Sequence, residues 1–204
     1  MFAACAREQR AAWRFWYGRG HLREGYELLV RALGDAVPGD LSPADARVWA
    51  RALSSAASLH YVLGGRGEVR DRYAQALGLW RRAGDSEGLA ATLGNLGMYE
   101  HYSGDRALAR GVYGEATAAA RAVGNERITA TILQNLGTLL LQDGDLDAAE
   151  PALDEALAGL RNCGMVRSEA DVQGSRAELA LARGDFAAAR QIAKTVQGRF
   201  EEPR

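Results

Sequence analysis

The chain has 204 residues, of which 48% are hydrophobic and 25% are charged, a composition that fits one large folded domain or one extended repeat array. Its formal net charge of −1 gives no electrostatic reason to expect direct binding to nucleic acid or to an anionic membrane. Only four prolines are present, and no apolar run approaches the roughly 18 residues that span a bilayer, so we expect a helical protein without a membrane segment.

Apolar residues recur at helical spacing along the chain and are interrupted by turns that contain glycine. This pattern predicts ten helices, in chain order at 3–18, 21–33, 43–63, 66–82, 87–102, 105–122, 127–142, 145–161, 167–182 and 185–199. Successive helices pair into five hairpins at about 3–33, 43–82, 87–122, 127–161 and 167–199, with an insertion loop at 34–43. We therefore interpret residues 1–204 as a single repeat domain.

The predicted N-terminal helix carries a cluster of aromatic side chains, namely Trp13, Phe15, Trp16 and Tyr17. Terminal repeats usually have a polar outer face, so the cluster indicates either a surface for a partner or second copy, or burial against the next repeat. The preceding sequence, MFAACAREQR, lacks the basic start and long apolar stretch of a signal peptide. Cys5 and Cys163 are isolated and suit neither a disulfide framework nor a metal site, so we expect a cytoplasmic protein.

Several helix starts carry capping signals. Ser42 precedes Pro43, which places an N-cap residue before a proline at the first helical position. Pro151 lies about one turn inside its helix, where we expect a slight kink. An aspartate that can cap a helix and oppose the positive end of its dipole follows three of the hairpin glycines, at Asp105, Asp145 and Asp185.

The hairpins also repeat in sequence. The glycines that join their two helices are Gly20, Gly64, Gly104, Gly144 and Gly184, which are 44, 40, 40 and 40 residues apart. Residues at fixed helical offsets after each glycine are predicted to share one buried face. The residues nine positions after the glycines are Leu29, Tyr73, Tyr113, Leu153 and Ala193. The residues twelve positions after them are Ala32, Ala76, Ala116, Ala156 and Val196. The segments LGNLG at 93–97 and LQNLG at 133–137 repeat in the same way, and we expect Gly97 and Gly137 to let paired helices approach closely.

Two helices per unit, first helices with a Leu-x-x-Gly pattern, and Gly-Asp turns followed by Ala and Tyr together resemble the tetratricopeptide repeat. The segment WRFWYGRGHLREGYELLVRAL at 13–33 resembles the opening of the repeat region in LuxR-type and related ATP-dependent (STAND-like) bacterial transcriptional regulators. The resemblance implies an all-α fold, a right-handed α-α superhelix of five tetratricopeptide-like hairpins, with a sensor or scaffold role. The chain lacks the phosphate-binding motif G-x-x-x-x-G-K-[ST], so we expect no ATPase activity of its own.

In this family the first helix of each hairpin lines a concave groove that binds a peptide or protein segment. An asparagine there often bonds the peptide backbone, because an amide both donates and accepts. The resemblance gives this role to Asn95 and Asn135. The other predicted groove residues are Arg10, Arg14, Arg51, Ser55, Ser58, Tyr61, Met98, His101, Tyr102, Gln134 and Thr138. The alternative is that these residues form ordinary solvated helix faces.

No catalytic residue, metal ligand or cofactor is predicted. His60 and His101 lack further ligands at helical spacing, and no Ser-His-Asp or Cys-His arrangement has a recognisable motif. We interpret the chain as a non-catalytic protein- or peptide-binding module of a bacterial transcriptional regulator, without direct contact with nucleic acid or membrane. Two alternatives stay open: an oligomerisation scaffold that forms a homodimer through the N-terminal aromatic helix, and a small-molecule sensor with a groove pocket near Tyr61, His101 and Asn135.

Overall fold

A computed structural model describes residues 20–34 and 36–201, so the helix predicted at 3–18 lies outside the described residues. Within those ranges the chain forms nine α-helices and no β-strand. The helices are α1 (Leu22–Leu33), α2 (Pro43–Val62), α3 (Val69–Arg82), α4 (Ser86–Ser103), α5 (Arg106–Ala122), α6 (Glu126–Gln142), α7 (Leu146–Asn162), α8 (Val166–Ala182) and α9 (Phe186–Glu201). Each one coincides with a helix predicted from the sequence, which confirms the all-α fold class.

The described residues divide into two compact units, and the boundary falls within α4. Unit 1 extends to Tyr99 and contains α1, α2, α3 and most of α4. Unit 2 begins at Glu100 and contains the last residues of α4 and the helices α5 to α9. That the chain is a single repeat domain stays a prediction.

The core of unit 1 combines small residues at helix contacts with large ones that fill the remaining space. Ala50, Ala56 and Ala76 are completely buried and allow the backbones of α2 and α3 to approach each other. Leu59 and Trp80 pack in the same cluster. A second buried cluster in this unit consists of Ala57, Val69, Tyr73 and Tyr99.

The core of unit 2 has the same design. Leu133 and Leu140 of α6 pack with Leu153 and Leu160 of α7, and Val172 of α8 belongs to the same cluster. Alanines again occupy the positions between the large residues, at Ala130, Ala149 and Ala156. Small side chains at helix contacts and leucines between them are therefore the common basis of packing within each unit.

The predicted buried face is confirmed in the middle of the chain, where the residues at nine and twelve positions after the hairpin glycine are completely buried: Tyr73, Ala76, Tyr113, Ala116, Leu153 and Ala156. Two positions in the outer hairpins differ. Ala32 is exposed and Leu33 is buried instead, because Leu29 and Leu33, four residues apart, form the apolar stripe of α1. Ala193 on α9 is exposed, whereas its counterparts Tyr113 and Leu153 are completely buried.

The predicted helix caps are confirmed. The Ser42 hydroxyl accepts a hydrogen bond from the Asp45 backbone amide at 3.2 Å, with Pro43 as the first helical residue. The three capping aspartates, Asp105, Asp145 and Asp185, accept from the amides of Leu108, Ala148 and Ala188. Helix α7 continues through Pro151 as one element from Leu146 to Asn162.

Each described hairpin turn uses a glycine with positive φ, and the turn between α6 and α7 is representative. Gly144 has a φ of 78° and donates its amide to the Leu141 carbonyl at 3.1 Å. The Asp145 amide donates to the Leu140 carbonyl at 2.9 Å. Only glycine adopts this left-handed conformation without cost, so the repeated Gly-Asp pair ends one helix and caps the next.

Helix α3 begins at Val69, whereas the sequence predicts a start at 66. The reason is Glu68, which has a φ of 61° and so interrupts the helical conformation. Its carboxylate lies 2.6 Å from the guanidinium of Arg72, one turn into α3. The loop between α2 and α3 is therefore longer than the other hairpin turns.

No helix within the described ranges is both long enough and apolar enough to cross a membrane.

Candidate functional site

The first helices of neighbouring hairpins in unit 2 meet through polar side chains. The hydroxyl of Thr138 on α6 lies 3.3 Å from that of Ser175 on α8. The Thr138 hydroxyl donates to the Gln134 carbonyl one turn earlier on α6 at 3.0 Å. The Ser175 hydroxyl lies 3.5 Å from the Asp171 carbonyl on α8 and can donate its single proton to Thr138 instead. The sequence predicts Thr138 and Gln134 as groove residues, and the structure places Thr138 beside Ser175 of α8. We call Gln134, Asn135, Thr138 and Ser175 the unit-2 polar face.

Asn135 carries one of the two side-chain amides of the unit-2 polar face, the other being that of Gln134. It is half-buried, three residues before Thr138 on α6. Its side-chain amide makes no hydrogen bond to any described residue of the chain. A primary amide carries two donors and one acceptor, so Asn135 can bond both an N–H and a C=O of a main chain laid across α6.

Near the C-terminal ends of α4 and α6, three further side chains of unit 2 are connected. Nε2 of His101 lies 2.8 Å from Oε1 of Gln142, and the Tyr102 ring stacks on the His101 ring with centroids 4.5 Å apart. His101 is only 4% exposed, whereas Tyr102 is 56% exposed. Both are predicted groove residues, but only Tyr102 presents a large surface to a ligand.

Two predicted groove residues of unit 1 take part in packing. The Ser58 hydroxyl donates to the Ser54 carbonyl at 2.9 Å and lies 2.8 Å from the hydroxyl of buried Tyr73. The Tyr61 ring packs edge-on against Tyr99 with centroids 5.4 Å apart. These contacts hold α2 against α3 and α4, so much of the hydrogen-bonding and ring surface of Ser58 and Tyr61 is used within the unit.

The other described groove residues of unit 1 lie on α2 and α4, and a pair of buried hydroxyl groups joins these two helices. Ser54 and Thr92 have their hydroxyls 3.0 Å apart, and Trp80 Nε1 donates to the same Thr92 oxygen at 2.9 Å. Asn95 lies three residues after Thr92 and is exposed. Half-buried positions on these two helices are Arg51, Ser55 and Met98.

Arg51 is additionally held by an aromatic ring, because its guanidinium lies 6.0 Å from the centroid of Trp80. Six residues of the predicted site lie outside the described residues, namely the groove residues Arg10 and Arg14 and the aromatic cluster Trp13, Phe15, Trp16 and Tyr17. Their roles therefore stay predictions.

A cluster of side chains in unit 1 fixes the loop before α3. The Tyr26 and His60 rings stack with centroids 4.9 Å apart, and the Arg72 guanidinium donates to the Tyr26 hydroxyl at 3.0 Å and lies 3.3 Å from His60 Nδ1. The same guanidinium pairs with Glu68. No short motif links these four positions, so the sequence alone carries no signal for the cluster.

Arginines that contact the end of the following helix also have no short motif in the sequence. In unit 1, Arg47 donates to the carbonyl of Ala83 at the end of α3 and pairs with Asp85. In unit 2, Arg106 donates in the same way to the Gln142 carbonyl at the end of α6 and pairs with Asp143. In each pair the arginine and the aspartate are about one repeat apart in the sequence. Opposite charges at that separation are the signal that could reveal such pairs.

No group of three or more His, Cys, Asp or Glu side chains among the described residues is placed to hold a metal ion. A surface cavity of about 310 Å³ in unit 2 lies between α5, α6 and α7. Its charged lining residues are already engaged, since Arg121 pairs with Glu155 at 2.6 Å and Glu126 accepts from Asn162 at 2.7 Å.

Comparison with known proteins identifies the fold. No family model and no curated protein matches the chain. Among solved structures, BtubC (BKLC) from P. vanneervenii is similar over 100% of this chain and 85% of its own, with a TM-score of 0.77 and 22% identity. Two structures of nearly identical TPR-like repeats from a putative kinesin light chain of Podosopora anserina are similar over 95–97% of this chain and 93–97% of their own. Both have a TM-score of 0.71, at 15–16% identity.

These likenesses show that the fold is a TPR-like helical repeat, as the sequence predicts.

Proposed function

We propose that the chain is a non-catalytic protein-interaction module that binds a peptide or protein segment along the polar faces of its first helices. The observation that carries the proposal is the contact between Thr138 and Ser175, which joins the polar faces of α6 and α8 in unit 2. TPR-like folds in general support this kind of function, because stacked hairpins present extended faces to a partner.

Asn135 and Tyr102 are the residues of unit 2 best suited to hold such a segment. The Asn135 amide can pair with a main-chain N–H and C=O, which recognises an extended backbone without requiring a particular side chain. Tyr102 offers an exposed ring, and its position is fixed by stacking on buried His101. A fixed aromatic ring gives contact area at little cost in side-chain entropy. Asn95 offers the equivalent amide in unit 1, where it is exposed.

The finer proposal is that the module is the sensor or scaffold segment of a bacterial transcriptional regulator and works in the cytoplasm. Its support is the resemblance of residues 13–33 to the repeat region of such regulators. The described part of that segment forms α1 from Leu22 to Leu33. In this role nucleic-acid binding and ATP hydrolysis belong to other parts of the regulator.

The experiment uses the whole chain and a displayed library of random 12-residue peptides as the probe. Peptides retained by the chain are synthesised, and their dissociation constants are measured by calorimetry for wild type, Asn135→Ala and the Asn95→Ala/Asn135→Ala double variant. Loss of two hydrogen bonds at Asn135 is expected to weaken binding roughly tenfold, which corresponds to about 1.4 kcal/mol.

Gln191→Ala is the matched control, because Gln191 is an exposed amide of unit 2 on the second helix of its hairpin. Its affinity should equal that of the wild type. Equal affinities for wild type and Asn135→Ala would remove Asn135 from the site. A library that yields no peptide bound by the chain would contradict the proposed function itself.

A further inference from the structure

Helix α9 and the end of α8 form a surface that corresponds, residue for residue, to an interface inside unit 2. The hairpin of α8 and α9 repeats that of α6 and α7 with an offset of 40 residues, as Gly144 and Gly184 show. The preceding hairpin is covered by α8 on one side. Each of its covered residues therefore has a counterpart on the last described hairpin, where no described helix follows.

The apolar part of that interface is retained. Leu141 and Leu146 are half-buried and pack against the cluster that includes Val172 of α8. Their counterparts, Leu181 and Phe186, are also apolar but are 50% and 69% exposed. Phe186 is the most exposed large hydrophobic side chain among the described residues. We call Leu181, Phe186, Arg190 and Lys194 the terminal face.

The charges of the interface are reversed on the terminal face. On α7, Glu150 pairs with Arg183 at 2.7 Å and Asp154 pairs with Arg176 at 2.9 Å. The counterparts of these two acidic residues, 40 positions later, are Arg190 and Lys194, and both are exposed. A hairpin like that of α8 and α9 would therefore bring its own arginines against two cations, so head-to-tail stacking of identical copies is disfavoured.

We propose that the terminal face binds an amphipathic helix of a partner protein whose apolar stripe is flanked by carboxylates. Helix α8 defines the spacing that fits: Val172 and Leu179 of α8 belong to the buried cluster, while Arg176 and Arg183 form the ion pairs. A matching partner helix has apolar residues seven positions apart, with an acidic residue four positions after each. This surface is distinct from the unit-2 polar face, and its proposal does not depend on the function proposed above.

The test uses two labelled synthetic peptides that correspond to residues 165–184. One keeps the sequence of the chain, and the other carries Arg176→Glu and Arg183→Glu. Their affinities for the whole chain are measured by fluorescence anisotropy at low salt. We expect the acidic peptide to bind at least tenfold more tightly than the unchanged peptide, and to lose affinity as salt is added.

The decisive variant is Arg190→Glu/Lys194→Glu in the whole chain, which should reverse the preference so that the unchanged peptide binds more tightly. The control is Arg127→Glu, an exposed arginine at the start of α6 in the same unit, which should leave both affinities unchanged. The proposal is overturned if neither peptide binds, if the two bind equally, or if Arg127→Glu has the same effect as the double variant.

Discussion

Gly137 on α6 lies directly against Leu153 on α7: a Cβ atom built on Gly137 would stand 2.6 Å from Leu153 Cδ2 and 2.7 Å from its Cγ. Leu153 is completely buried among neighbours on α6, α7 and α8, so it has little freedom to move away. The glycine of the LQNLG segment therefore sets how closely the two helices of this hairpin approach.

Gly137→Ala is expected to lower the free energy of unfolding by about 1 to 3 kcal/mol, because the added methyl group overpacks the contact with Leu153. Urea denaturation of wild type and variant measures the difference. Gly174→Ala is the matched control: Gly174 lies inside α8, and a Cβ there would meet nothing within 4 Å. That substitution should be neutral or stabilise by up to about 1 kcal/mol, because alanine favours helix. Similar unfolding energies for the two variants would contradict the close contact.

Burial raises the pKa of Tyr73 to about 12; the hydrogen bond with Ser58 opposes this shift, while the charges of Tyr61 and Tyr99 add to it. The folded-state pKa then lies above the value of about 10 for an exposed tyrosine. Below pH 10 both states keep the proton. Between pH 10 and 12 the unfolded state releases it more readily, so stability is lost as pH rises through this window.

The prediction is that Tyr73 alone lowers the free energy of unfolding by about 1 kcal/mol between pH 9 and pH 11. Urea denaturation at both pH values should show a smaller loss for Tyr73→Phe than for wild type, by about that amount. The comparison across pH cancels the lost bond to Ser58, which is absent from the variant at both values. Equal losses in the two proteins would show that Tyr73 does not titrate differently on folding.

The helices, their pairing and most of their ends could be predicted because the signals are local. A glycine with positive φ followed by a capping aspartate, as at Gly144 and Asp145, is encoded by two adjacent residues. The start of α3 could not be predicted. Glu68 has a positive φ, and its carboxylate pairs with Arg72. Arg72 in turn contacts Tyr26, which lies on another helix.

The candidate site could be predicted only in part. Helical periodicity shows that Asn135 and His101 lie off the face that contacts the paired helix. Periodicity does not show which of the positions off that face are covered by the neighbouring hairpin. Gln142, forty-one residues after His101, is close enough for a hydrogen bond, and His101 is buried. Asn135 is half-buried, and its amide makes no hydrogen bond to another described residue. His101 and Asn135 differ because of contacts between residues about one repeat apart. The periodicity of a single helix carries no information about such contacts.

Arg161→Met is expected to destabilise the protein more than Arg121→Met does. Arg161 Nε lies 2.7 Å from the carboxylate of Glu169, whose side chain is only 7% exposed. Arg121 pairs with Glu155 at 2.6 Å, but both side chains are about half exposed. Water compensates for loss of the exposed pair, while a charge-assisted hydrogen bond to a buried carboxylate is replaced poorly.

The expected losses in urea denaturation are about 1 to 3 kcal/mol for Arg161→Met and at most about 1 kcal/mol for Arg121→Met. Methionine keeps much of the apolar stem, so the comparison isolates the charged group. Added salt should reduce the effect at Arg121 more than the effect at Arg161. The reverse order of the two losses would mean that burial of Glu169 does not determine the strength of its pair.

Asp185 caps α9 through a 2.9 Å hydrogen bond from the Ala188 amide to its carboxylate. Asp185→Ala removes the acceptor and should lower the free energy of unfolding by about 1 kcal/mol. Asp185→Asn keeps an acceptor of the same shape and removes only the charge that opposes the helix dipole, so it should cost a few tenths of a kcal/mol. Amide hydrogen exchange of the first turn of α9 should accelerate in the alanine variant and stay close to wild type in the asparagine variant. Equal acceleration in both variants would show that the charge of Asp185, and not its hydrogen bond, stabilises the start of the helix.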